Sequence, residues 1–162
     1  MLHRPRDGVL TRPALMPFQS APARIEWRLH LRAARERVFA MLATADGRRQ
    51  FWAESAEESN GMILFRFPDG SELTSRIIER VPPTRFAVEY FGGSHVLFEC
   101  VVDGAGGTDL LLTETGTPAA ERTENIAGWA SVLLCLKAAV DHGVDLRNHD
   151  PQRTWRAGYV EN

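Results

Sequence analysis

Cysteine is scarce in this 162-residue chain, and long apolar runs are missing altogether. Its two cysteines, Cys100 and Cys135, show neither CxxC nor metal-ligand spacing. That excludes a disulfide framework and points to reduced thiols in a cytoplasm. No stretch approaches the ~18 consecutive apolar residues of a membrane span, and the amino terminus lacks the apolar run of a signal peptide. Nothing is therefore expected to anchor or export the chain, and membrane insertion is not expected. A basic excess is also lacking: the formal net charge is −2. This gives no general attraction for nucleic acid.

Catalytic signatures are equally sparse. His3, His30, His95, His142 and His149 form no HxH, HExxH or His-with-Cys pattern, so neither a metal site nor a cofactor is expected. Gly104, Gly106 and Gly107 are not followed by Lys-Ser or Lys-Thr, which excludes a phosphate loop. No GxSxG elbow presents a nucleophilic serine.

What is present is 44% hydrophobic content, enough for one domain with a full core. The chain is organised around residues 117–143, whose Ile126, Trp129, Leu133, Leu136 and Val140 fall on one stripe of a helix, with Ser131, Cys135, Ala138 and His142 turned away. Pro118 or Thr123 marks the start, and Gly143, able to take a left-handed turn, the stop. This stripe is expected to face a curved sheet across a space that side chains only partly fill.

Ahead of it, Ile25, Trp27, Leu29 and Leu31 alternate with Glu26, Arg28, His30 and Arg32, the mark of a half-buried strand. Two short helices follow, the second ending on Phe51 and Trp52. Turn residues then divide strands at 62–67, 72–81, 86–91, 95–102 and 108–115. Short connections favour antiparallel neighbours, and strands followed by one long helix indicate an α+β domain. Taking Arg66, Arg76, Arg80 and Glu89 as outward sends Phe65, Phe67, Ser75, Ile77, Glu79 and Tyr90 inward, with Phe98, Leu112 and Glu114 on the last two strands, unless a bulge shifts the parity. Residues 1–23, with prolines at 5, 13, 17 and 22, are read as a mobile arm, 24–143 as the domain, and 144–162 as a polar tail. The tail is either docked through Trp155 and Tyr159, on its own domain or a second copy, or free.

Several pieces in this order resemble a known superfamily: Ala33, Val38, Phe39 and Leu42; Trp52; Phe67, Asp69 and Gly70; Glu79 with Val81, Pro82 and Pro83; Gly106, Gly107 and Thr108 with Leu110 and Leu112; and Gly128-Trp129 with Leu133, Leu136 and Lys137. The chain resembles the START-related lipid-transfer proteins, the birch-pollen allergen and the polyketide cyclases, together called SRPBCC, in the branch named after the activator of the heat-shock protein 90 ATPase. The resemblance implies a helix-grip fold with an apolar cavity between helix and sheet, but no universal catalytic motif.

The expected partner is accordingly a hydrophobic or amphipathic small molecule. The candidate walls are Phe65, Phe67, Tyr90, Phe98, Leu112, Trp129, Leu133 and Leu136, each of which either lines a pocket or fills the core. Trp52 is either a gate at the mouth or a core plug. Glu114, Glu79 and Tyr90 would carry proton transfer in a cyclase- or hydratase-like enzyme, with the carboxylates otherwise sitting in water at strand ends. A third possibility is an interaction protein acting on a chaperone through its outer surface, and a homodimer through a sheet edge or the tail is open.

Overall fold

In the computed structural model, which describes residues 18–21 and 23–161, one antiparallel sheet of eight strands carries the order β1-β2-β8-β7-β6-β5-β4-β3. The strands are β1 (Phe18–Ala21), β2 (Arg24–Leu31), β3 (Ser55–Ser59), β4 (Met62–Arg66), β5 (Glu72–Val81), β6 (Arg85–Glu89), β7 (His95–Val102) and β8 (Thr108–Thr115). Two short helices, α1 (Arg35–Ala43) and α2 (Ala45–Arg49), follow β2, and α3 (Arg122–His142) closes the domain. The fold is α+β and helix-grip.

Two strands lie outside the sequence reading. Phe18–Ala21, placed above in a mobile arm, pairs with residues 24–27 as an edge strand, and the Phe18 ring lies 4.6 Å, centre to centre, from that of Trp27. Residues 1–17 of that arm lie outside the described residues. β3 reads as polar, yet it pairs with β4 through a two-residue turn at Asn60 and Gly61, with φ of 50° and 73°. Asn-Gly is the favoured hairpin turn because both positions need positive φ, and that dipeptide was the signal available for β3.

α3 begins at Arg122, beyond the proposed start at Pro118, and stops at Gly143, whose φ of 66° lets its N–H and that of Val144 bond back to the carbonyls of Ala139 and Ala138. Its carboxy-terminal end is tied to β2. Asp141 accepts the backbone N–H groups of Arg32 and Ala33, and Lys137 donates to the His30 carbonyl at 2.7 Å. Cys135 and Ala138, which the stripe turns away from the sheet, are buried all the same, because the segment after the helix folds back. Burial, the largest influence, pushes the Cys135 thiol up, with the charges of Arg147 and Asp145 acting on it in opposite senses.

The core lies between α3, α1 and the concave face of the sheet. Val96, Phe98, Cys100, Leu110, Leu112 and Glu114 are all buried there. On β5 the parity breaks: a bulge between Ile77 and Glu79 leaves Ile77 opposite Val88 but sets Arg80 opposite the buried Phe86. Arg80 therefore turns inward, its guanidinium 5.7 Å from the Phe86 ring centre, while Glu79 lands outside. Both assignments reverse the expectation. The extra residue shifts the side-chain alternation by one.

Candidate functional site

The central length of α3 packs its stripe into the core above the sheet. Leu133 and Leu136 meet Phe98, Leu112 and Phe65 in one packed cluster. Open space appears instead at the amino-terminal half of the helix, as a cavity of about 510 Å³. Its walls come from the loop after α2, the β4–β5 turn, the 3₁₀ turn at Phe91–Gly93, the first turns of α3, and the tail. Of the predicted wall residues, Trp52, Phe67, Tyr90 and Trp129 line this space, whereas Phe65, Phe98, Leu112, Leu133 and Leu136 are packed behind it.

The aromatic wall is continuous. Tyr90 lies 4.8 Å from both Phe91 and Trp129, centre to centre, and Phe67 lies 5.7 Å from Phe91. Trp52 touches the rings of Phe51, Phe65, Tyr90, Phe98 and Trp129, so it is wedged into the core with one edge on the cavity. Its indole N–H donates to the Tyr90 hydroxyl at 3.1 Å. The hydroxyl's own proton has no acceptor among the described residues. Burial, reinforced by the charge of Glu114 and only partly opposed by the Trp52 bond, pushes this hydroxyl well above the ordinary tyrosine range. Tyr90 is therefore a standing donor.

Glu114 is fully buried and sits behind the wall. The Ser94 hydroxyl (2.6 Å) and the Asn125 amide (2.9 Å) donate to Oε1, and the Trp129 indole (2.7 Å) to Oε2. Three neutral donors from three segments thus converge on one carboxylate and hold it in place behind the wall. Glu79, the other candidate carboxylate, pairs with Arg85 at 2.9 Å on the opposite face of the sheet. No group of three or more His, Cys, Asp or Glu among the described residues is placed to hold a metal ion. No helix among them is long and apolar enough to cross a membrane.

The tail supplies residues that the sequence reading left out. Arg147, Thr154, Trp155 and Arg156 all face the cavity. Arg147 donates to the carbonyls of Arg49 and Ala53 and forks onto Asp145, Trp155 donates to Glu124 on α3, and Ser131 donates to the Val160 carbonyl. Tyr159, by contrast, remains exposed, so hydrogen bonds and the Trp155 indole dock the tail rather than two aromatics.

Residues 32–141, which hold the two short helices, most of the sheet and nearly all of α3, match the family described as Activator of Hsp90 ATPase homolog 1-like protein. The chain belongs to this family. No curated protein matches it significantly. Among solved structures, this family member is similar to protein SSP2350 from Staphylococcus saprophyticus, with 24% identity over 76% of this chain and 96% of that one and a TM-score of 0.66. The Aha1 dimer from Colwellia psychrerythraea is similar at 21% identity, covering 74% of this chain and 97% of that one, with a TM-score of 0.66. CalU16 from Micromonospora echinospora covers more of this chain, 89%, and 87% of its own, at 19% identity and a TM-score of 0.64. At these identities the likeness is one of fold. The matched stretch ends before Arg147, so one wall of the cavity lies outside the part that defines the Activator of Hsp90 ATPase homolog 1-like family.

Proposed function

We propose that this protein binds a hydrophobic or amphipathic small molecule, without covalent chemistry, in the cavity beside the amino-terminal half of α3. The observation that carries this reading is the cavity itself: about 510 Å³, walled by Trp52, Phe67, Tyr90, Phe91 and Trp129. That volume falls within the few hundred to about a thousand cubic ångströms of small-ligand sites. Apolar area removed from water supplies affinity at roughly 25 cal/mol per Å² before the cost of immobilising the guest, and the Tyr90 hydroxyl orients a guest that carries an acceptor. Glu114 is occupied by three structural hydrogen bonds and Glu79 pairs with Arg85 on the far face, which favours binding over the cyclase- or hydratase-like reading. Native mass spectrometry of gently purified protein tests the proposal. A co-purified adduct, or saturable binding of an apolar fluorescent probe, is expected; repeated absence of both overturns it.

Family membership favours one second reading, an interaction protein that acts on a chaperone ATPase through its outer surface. Co-precipitation of a chaperone that survives cavity-filling substitutions would support it, and an empty pull-down would end it. A cytoplasmic location fits two buried free cysteines. The Colwellia relative is described as a dimer, and light scattering on this chain tests whether it pairs too.

A further inference from the structure

Four carboxylates and two guanidiniums line the cavity: Glu54, Asp69, Glu121, Glu124, Arg147 and Arg156. Most are matched locally. Arg147 is neutralised by Asp145, Arg156 lies 3.5 Å from Asp69, and Glu54 faces His149 at 2.6 Å. The two left over are both acids at the start of α3. Among the described residues, Glu124 accepts only the neutral indole N–H of Trp155. Glu121 has no hydrogen-bond or ion-pair partner for its carboxylate among the described residues, and its Oε2 lies 2.7 Å from where a Cβ on Gly92 would sit, against the turn that carries Phe91. Gly92, at φ 67°, is the residue type that permits that approach.

Resting on the reading of this cavity as a ligand site, we infer that its ligand is a cationic amphiphile: an amine or quaternary ammonium whose apolar body lies against Trp52, Phe67, Tyr90 and Trp129, with its charge between Glu121 and Glu124. The two carboxylates outweigh the roughly half positive charge at the start of α3. Electron-rich ring faces add attraction for a cation that they repay to no anion. An anionic lipid or fatty acid would instead meet two unmatched like charges at the mouth.

The test compares decyltrimethylammonium with decyl sulfate, matched in chain length and kept below their micelle concentrations, by isothermal titration calorimetry on the full chain at pH 7. The ammonium is expected to bind at least about tenfold tighter, about 1.4 kcal/mol, with the margin shrinking as salt is raised. Glu121→Gln combined with Glu124→Gln should bring the two affinities together, with a small drop in the urea midpoint because both carboxylates sit at the positive end of α3. Gly128→Leu should abolish binding of both, since a Cβ there meets nothing within 4 Å and projects into the space. Equal binding, or tighter binding of the sulfate, overturns the charge preference and leaves the cavity reading standing. No binding of either probe overturns both.

Discussion

The indole N–H of Trp129, on α3, donates to Oε2 of Glu114, on β8, at 2.7 Å, and both side chains are buried. The bond clamps the amino-terminal half of the helix to the sheet beside the cavity. The same carboxylate ties in Ser94 and Asn125. The back wall of the cavity is therefore held by one buried acceptor with three donors.

Glu114→Gln puts an NH₂ where an oxygen accepted, so a donor faces a donor. Hydrogen bonds to a charged group contribute roughly 1.5–3 kcal/mol, and an orphaned buried donor costs a similar amount. A loss of about 2 kcal/mol or more in urea unfolding at pH 7 is expected. An unchanged midpoint would show that the carboxylate anchors nothing.

Tyr90→Phe removes the acceptor for the Trp52 indole and the free donor in the cavity. A stability loss of about 1 kcal/mol is expected. Binding of an aromatic ketone should weaken more than binding of its hydrocarbon analogue. Equal losses for the two ligands would mean that the hydroxyl makes no contact with the guest.

Gly47→Ala should destabilise by about 2 kcal/mol or more, even though alanine is the better helix former by about 1 kcal/mol. The new Cβ would lie 2.4 Å from the Ala40 carbonyl oxygen and from the Met41 Cα. Backbone cannot step aside as a flexible side chain can, so α1 and α2 would have to separate. A thermal melt at or above that of the parent would refute this.

His149, on the tail, bridges Glu54 at 2.6 Å and Asp145 at 2.8 Å. The bond with Glu54 raises its pKa above the ordinary histidine value, burial opposes this, and Asp145 adds to the rise. A raised folded-state pKa means that the contribution is fully present below the unfolded value and is lost as pH rises through the folded one. At the acid end, burial works against ionisation of Asp145, but bonds from Arg147 and His149 outweigh it and hold this carboxyl well below the usual range. The tie is therefore closed at mildly acidic pH and loosens on the alkaline side. Amide exchange over residues 145–160, corrected for the intrinsic pH dependence, should be more protected at about pH 6 than at about pH 8. His149→Gln should flatten the difference.

Much of the sheet was legible because alternation is local. Ile25, Trp27, Leu29 and Leu31 declare a face without reference to any partner, and Gly143 declares the end of α3 in the same way. β1 was hidden by the prolines around it. β3, SAEES, carries no apolar pattern because only Ala56 of its five residues is buried. Trp52, Phe67, Tyr90 and Trp129 were legible as large inward rings. The contribution of Arg147, Trp155 and Arg156 was not, since nothing in a polar tail says which surface it folds across.

By itself the sequence determined the class of fold, the grip helix with its apolar stripe, and a supply of rings sufficient to wall a pocket, because each follows from periodicity and turn chemistry within a short window. Tertiary structure alone decided that Glu79 faces out and Arg80 in, since a bulge is defined against the partner strand. It also decided that a cavity opens at the start of α3, since empty volume is what remains after side chains from distant segments have packed. And it turned Glu114 from a candidate catalyst into an anchor, because the three groups that saturate its carboxylate, from Ser94, Asn125 and Trp129, meet it only when the helix closes on the sheet.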